Sequence, residues 1–342
     1  HLPPEGAALR RSGLGDQLRH LRRRDPAHVS NEASVVGVLL CNTGSPQAPT
    51  APALRTYLAE FLSDPRVVDL PRWLWLPILH GVVLRSRPRR SAALYKRLWT
   101  DQGAPLIDIS QRQARALTER LGSGFVVAMG MRYGEPSLAT AVEQLRAARC
   151  ERVIVLPMFP QFAEATVGSI LAAASPLLGS LPWAEVPPFF ADRDYITALA
   201  RSIEAERADE HLLISFHGLP MRQVQRGDPY PEHCQQTADQ LARKLGLRAH
   251  EWSLSFQSRF GPGRWLEPAT DELVCDLAAE HPRLLVICPG FSADCLESLD
   301  EIGCELAKTF AEAGGQSLRL VPCLNDDADF MDCLAKLVRA VA

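Results

Sequence analysis

"HLLISFHGLP" (211–220) carries an apolar run, Leu212-Leu213-Ile214, into a histidine and a Gly-x-Pro turn. A run this apolar, bounded by turn residues, reads as a strand buried on both faces, the kind found in parallel sheets. "LLCNTGSP" (39–46) follows the same course earlier in the chain. "ERVIVLPMF" (151–159) and "PRLLVICPGF" (282–291) echo each other too, each placing arginine before an apolar strand that ends near proline and phenylalanine. Strands are also expected at 33–40, 125–131, 250–256 and in "SLRLVP". Helical periodicity covers about 51–62, 108–121, 137–148, 231–245, 268–280 and a C-terminal stretch from about 327. Strands alternating with helices of this length imply βαβ units around parallel sheets. The fold expected is α/β, with two similar Rossmann-like domains, 33–180 and 181–326, facing each other across a cleft. A polar arm, 1–32, precedes them, and the C-terminal helix 327–342 is expected to pack on the first. In open α/β sheets ligands bind beyond the carboxyl ends of strands, which is where all four quoted turns lie.

Bulk properties narrow the function class. The 342 residues suit two ordinary domains, and 46% hydrophobic with 23% charged residues is ordinary globular composition. A formal net charge of -3 and the lack of any recognisable motif argue against nucleic-acid binding. Nine scattered cysteines with no CxxC pair read as reduced thiols of a cytoplasmic protein. No apolar run reaches the roughly 18 residues a membrane span needs. The arginine-rich start lacks the apolar core of a secretory signal, and Asp16 and Asp25 speak against a transit peptide. With no P-loop and no GxGxxG after a strand, a nucleotide cofactor is not indicated. Cys288, Cys295 and Cys304 are too widely spaced for a zinc ribbon.

Two features carry chemistry. His217 ends a buried strand, and an imidazole there can exchange a proton near neutrality or bind a metal, although many histidines at strand ends simply hydrogen-bond in place. In "PGFSADCLESLDEIGCELAK" (289–308), Asp294, Glu297, Glu301 and Glu305 are spaced 3, 4 and 4. At about 100° per residue they fall within roughly 80° of arc, opposite Leu296, Leu299, Ile302 and Leu306. A solvated face of an amphipathic helix is the plain account. Against it, no lysine or arginine is interleaved before Lys308 to offset the repulsion at this spacing. The row also starts at the sheet edge where His217 is expected. Clustered carboxylates raise one another's pKa values and can hold a hard cation or relay protons.

Taken together with "NTGSPQAP" (42–49), "YLAEFLSDPRVV" (57–68), "GMRYGEPS" (130–137), "FPQFAEATVGS" (159–169), "RGDPYP" (226–231), "FQSRFGPGRWLEP" (256–268) and "FSADCLESLDEI" (291–302), the chain from about Gly37 onward resembles the ferrochelatase family. The resemblance implies two Rossmann-like domains around a porphyrin cleft, and insertion of ferrous iron into a porphyrin in haem synthesis. It makes His217 the essential histidine and Glu297 its partner carboxylate. Asp294, Glu301 and Glu305 become a metal or proton conduit on a helix with a π-type turn. Porphyrin contacts are implied for Thr43, Arg132, Tyr133, Trp265 and Phe291, and more loosely for Arg87 and Tyr95 near the propionates. Iron is then a substrate rather than a cofactor.

Thr43 stands where the family more often has leucine or methionine, and "FPQF" replaces "YPQY" at Phe159 and Phe162. Glu164 occupies the place of one ligand of the two-iron two-sulfur cluster found in some members, and no cysteine-bearing tail follows, so no cluster is expected. "PRWLWLPILHGVVLRSRPRR" (71–90) sets Trp73, Leu74, Trp75 and Leu76 beside several arginines. The plain account is a core helix followed by a charged loop. The family reading is a partly exposed lip for porphyrin entry and peripheral membrane contact. The protein is expected in the cytoplasm or peripheral on the inner membrane, as a monomer or homodimer. Coproporphyrin or another tetrapyrrole as substrate, and a non-catalytic porphyrin or haem carrier, remain as alternatives.

Overall fold

In the computed structural model, residues 35–261 and 263–342 are described; the polar arm expected at 1–32 lies outside them. The two apolar strands read first are the central strands of two sheets. β1 (Val36–Asn42) is flanked by β2 (Phe125–Met131) and β3 (Arg152–Pro157), and β4 (Trp183–Glu185) completes the order β2-β1-β3-β4. β5 (His211–His217) is flanked by β6 (Trp252–Gln257) and β7 (Arg283–Ile287), with β8 (Ser317–Leu320) giving β6-β5-β7-β8. Every pairing is parallel. Both halves therefore use one strand permutation, and the echo between 39–46 and 213–220 is a correspondence of central strands. The apolar residues of β1, β3, β5 and β7 are buried almost without exception, as strands covered by helices on both faces must be.

The largest apolar cluster runs through both halves, from Val38 and Ile154 to Leu212, Ile287 and Phe330. Each large aliphatic side chain so buried contributes roughly 1.5–3 kcal/mol. The C-terminal helix Ala328–Val341 begins at an Asp327 side-chain cap on Phe330 N–H. It packs against Pro105–Leu121 of the first half and also against Arg193–Glu206.

Three π-helical segments occur among the described residues: Leu79–Val83, Glu164–Gly168 and Glu297–Leu306. The first explains why 71–90 is not a helix followed by a loop. Arg72–Ile78, Leu79–Val83 and Leu84–Leu98 follow one another without a break. Pro77 withholds an N–H and crowds the carbonyl one turn back, and the wider turn just after it accommodates the defect. The helix Ser169–Leu178 and the short strand β4 have no sequence expectation to compare with.

Candidate active site

The candidate residues gather beyond the carboxyl ends of the strands. His217 is the last residue of β5 and is half-buried. Its Nδ1 lies 2.7 Å from the Gly218 carbonyl oxygen. A carbonyl can only accept, so Nδ1 carries a proton, and in the neutral ring the lone pair falls to Nε2. The Phe291 ring meets the imidazole edge-on, centroids 6.4 Å apart. Trp265 is seated against Gly218: a Cβ there would lie 3.3 Å from its indole. The bonds Met221 N–H to Arg264 O and Leu266 N–H to Leu219 O clamp that loop to the turn after His217.

Downstream of β7 the π-type turn implied by the resemblance spans Glu297–Leu306. Glu297 and Glu301 are half-buried and Glu305 is exposed, so these three lead outward from the interior. Glu301 accepts a hydrogen bond from Ser258 Oγ at 2.6 Å. Burial raises its pKa above the ordinary glutamate value and the charge of Glu297 adds to this; the hydrogen bonds from Ser258 partly offset them. Ser258 itself holds a left-handed backbone (φ 65), an uncommon conformation for serine that aims its hydroxyl at the carboxylate.

Asp294 departs from the expected row. It lies ahead of the π-helix, and its carboxylate accepts from Cys323 N–H (2.9 Å) and Asn325 Nδ2 (2.8 Å). It anchors the 323–325 loop instead of extending the acidic file, because the chain turns out of helical geometry before Leu296. Asp300, which the α-periodicity left unassigned, is buried and pairs with Arg97 at 2.6 Å. Among the described residues no three His, Cys, Asp or Glu side chains converge as a metal cage.

The remaining candidates lie in the first half. Thr43 follows β1, half-buried, with its carbonyl accepting from Tyr133 N–H at 2.9 Å. Gly44 is demanded here: its φ is +107, and a Cβ would stand 1.9 Å from the Tyr133 carbonyl. Arg132 and Tyr133 follow β2, and both are tied to Asp64, which sequence reasoning quoted without assigning. Asp64 accepts from Ser169 Oγ (2.6 Å), Arg132 Nη2 (2.7 Å), Arg66 N–H (2.8 Å) and Tyr133 OH (2.9 Å). Burial opposes ionisation of Asp64, but these donors outweigh it and hold the pKa below the ordinary value. Tyr133, expected at the ligand surface, is 1% exposed and edge-packed on Phe61. With its hydroxyl taken by Asp64 and Ser169, it supports the Arg132 guanidinium, which lies 4.4 Å over its ring.

Arg87 and Tyr95 sit on Leu84–Leu98, and both feel the charge of Glu297. Burial pushes the Tyr95 hydroxyl well above its ordinary range and Glu297 adds to this, so it stays protonated near the carboxylate. Burial and Arg90 lower the Arg87 pKa, and its guanidinium rests 4.3 Å over the Phe260 ring. Along the stretch read as a lip, Trp73 (79% exposed), Leu74, Ile78 and Val82 are exposed and Leu76 is half-buried. Trp75 is a correction: it is 7% exposed and donates from Nε1 to Leu62 O at 2.6 Å, since a helix turns the side chain two positions on toward the core.

A family model described as Ferrochelatase matches residues 35–342. A protein named Ferrochelatase from Thioalkalivibrio sulfidiphilus is 46% identical over 328 residues, 92% of this chain and 88% of its own length. Ferrochelatase 1 of Shewanella oneidensis is 43% identical, covering 91% and 97%. Among solved structures, the sirohydrochlorin chelatase SirB from Bacillus subtilis subspecies spizizenii, in complex with cobalt, is similar in fold, with a TM-score of 0.52 at 13% identity over 90% of this chain and 95% of that one.

Proposed function

The chain belongs to the ferrochelatase family, and on that premise we propose that it inserts Fe2+ into protoporphyrin IX, releasing two protons, with His217 and Glu297 as the catalytic pair. The observation that carries the assignment is the Nδ1–H to Gly218 bond, which makes Nε2 the nitrogen that offers a lone pair in the neutral ring, at the end of β5 and within electrostatic reach of Glu301. Insertion must remove two pyrrole protons as iron–nitrogen bonds form. A base within hydrogen-bond reach makes this feasible near neutrality, typically worth 10²–10⁴-fold. His217 Nε2 takes a proton, Glu297 compensates the imidazolium, and Glu301, whose pKa is raised, passes protons toward exposed Glu305 and solvent. Iron is a substrate that the same oxygen and nitrogen donors hold in passing; a closed cage would oppose its release to the macrocycle.

We read 33–180 and 181–326 as two similar domains, with the porphyrin between their carboxyl edges. Thr43, Arg132, Trp265 and Phe291 are then on its walls, Tyr133 supports Arg132 from behind, and Arg87 and Tyr95 lie toward the propionates. The outward Trp73, Leu74, Ile78 and Val82 favour a lip that admits a flat apolar ligand and rests on a membrane surface. No helix among the described residues is long and apolar enough to cross a membrane.

The test is an anaerobic assay of Fe2+ insertion into protoporphyrin and, separately, coproporphyrin, using wild type and His217→Ala. Insertion by wild type with a loss of about 100-fold or more in the variant is expected. Equal rates for the two proteins overturn the role of His217, and exclusive use of coproporphyrin overturns the substrate.

A further inference from the structure

The two residues assigned to the chemistry stand on different elements, His217 ending β5 and Glu297 opening the π-helix after β7. What sets the spacing between them? β6 lies on the far side of β5 from β7, and its last residue, Gln257, is 3% exposed. Gln257 is the register partner of His217. Its main-chain oxygen accepts from Gly218 N–H at 2.7 Å, and Gly218 O is the acceptor that orients the imidazole. Gly218 is needed for this approach, because a Cβ there would stand 2.8 Å from the Gln257 oxygen.

The Gln257 side chain then crosses to the other partner. Its Nε2 donates to the Glu297 carbonyl at 3.3 Å. Its Oε1 accepts from Ser215 Oγ on β5 at 2.8 Å and faces Cys288 Sγ, just past β7, at 3.6 Å. The amide orientation is fixed by chemistry: the Glu297 carbonyl can only accept, whereas the hydroxyl and thiol can donate. A single buried residue thus touches the peptide that orients His217 and the peptide that carries Glu297.

We propose that Gln257 is a positioning residue that holds the His217 imidazole and the Glu297 carboxylate at their working separation. The proposal rests on the reading of His217 and Glu297 given above. Gln257 touches neither iron nor porphyrin. Its loss acts on kcat through geometry, as loss of groups supporting metal ligands does.

Gln257→Leu and Gln257→Met separate this role from general support of the fold. Gln257→Leu keeps the main-chain bond to Gly218 and removes the strut to Glu297. A kcat lowered about 10–100-fold is expected, with KM for porphyrin within about twofold of wild type. Gln257→Met fills the buried volume without a donor for the Glu297 carbonyl, and the same split between kcat and KM is expected. Should Gln257→Leu fail to fold, Gln257→Met decides. Wild-type kcat in the folded variant, or a loss confined to KM, would overturn the proposal. Activity retained in His217→Ala overturns the underlying reading; an inactive His217→Ala beside a fully active Gln257→Leu overturns this inference alone.

Discussion

Asp64→Ala removes the acceptor at which Arg132, Tyr133, Ser169 and the Arg66 main chain converge. Its side chain is 3% exposed and that of Arg132 is 22% exposed, so little water replaces what is lost. Truncating one partner of such a pair costs about 3–5 kcal/mol, because the other charge is left buried. Two features favour the lower end. Arg132 Nε keeps Ser169 Oγ at 2.7 Å, and Tyr133 OH keeps the same hydroxyl at 3.0 Å. About 3 kcal/mol is therefore expected, which for a chain of this size lowers Tm by about 4 °C. Asp64→Asn preserves shape and removes charge. Because the Asp64 pKa is held down in the folded protein, its charge stabilises above the unfolded aspartate pKa of about 3.9, and that stability is lost as pH falls through the lower folded value. The wild-type advantage over Asp64→Asn should be full at neutral pH and shrink below about pH 4. Thermal melts followed by circular dichroism from neutral to acid pH read both effects. A Tm for Asp64→Ala within about 1 °C of wild type, or an Asp64→Asn gap that widens on acidification, would refute the reasoning.

Two further outcomes are expected. Glu301 has a raised pKa, so its proton contributes stability below the unfolded glutamate pKa that is lost as pH rises through the folded value; melts should show wild type losing ground to Glu301→Gln as pH rises from about 4.3 upward. In Trp73→Ser/Ile78→Ser, both exposed side chains leave the surface, so Tm should stay within about 1 °C while sedimentation with anionic vesicles and the rate of porphyrin uptake both fall; unchanged values for both would remove the lip from its assigned role.

Much of the fold was legible because burial on both faces forces near-continuous apolar strands, and the runs ending at Asn42 and His217 announce themselves without any knowledge of their neighbours. The single strand permutation shared by the halves agrees with the paired turns. The placement of His217 at a strand end and of Glu297, Glu301 and Glu305 on one helical element was also readable, since a histidine after an apolar run and uncompensated acids at helical spacing are local patterns. Tyr133, Trp75 and Asp294 were misplaced for one reason: spacing tells which residues share a face, and only packing tells whether that face meets a ligand, the core or another loop. Asp64, Ser258 and Gln257 carried no distinguishing local pattern. Asp64 follows an ordinary helix end, and Gln257 is one amide in an unremarkable strand.

Composition and periodicity by themselves determined an α/β chain of parallel sheets, with a histidine and an acidic helix at the strand ends, because those features arise from contacts between near neighbours in the chain. Tertiary structure decided which nitrogen of His217 meets the Gly218 carbonyl, which acids leave the helical row and what each of them binds. Those outcomes depend on hydrogen bonds that join residues far apart in sequence, such as Arg132 to Asp64 and Gln257 to Glu297. Partners so distant are chosen only when the sheets are assembled and water is excluded from between them.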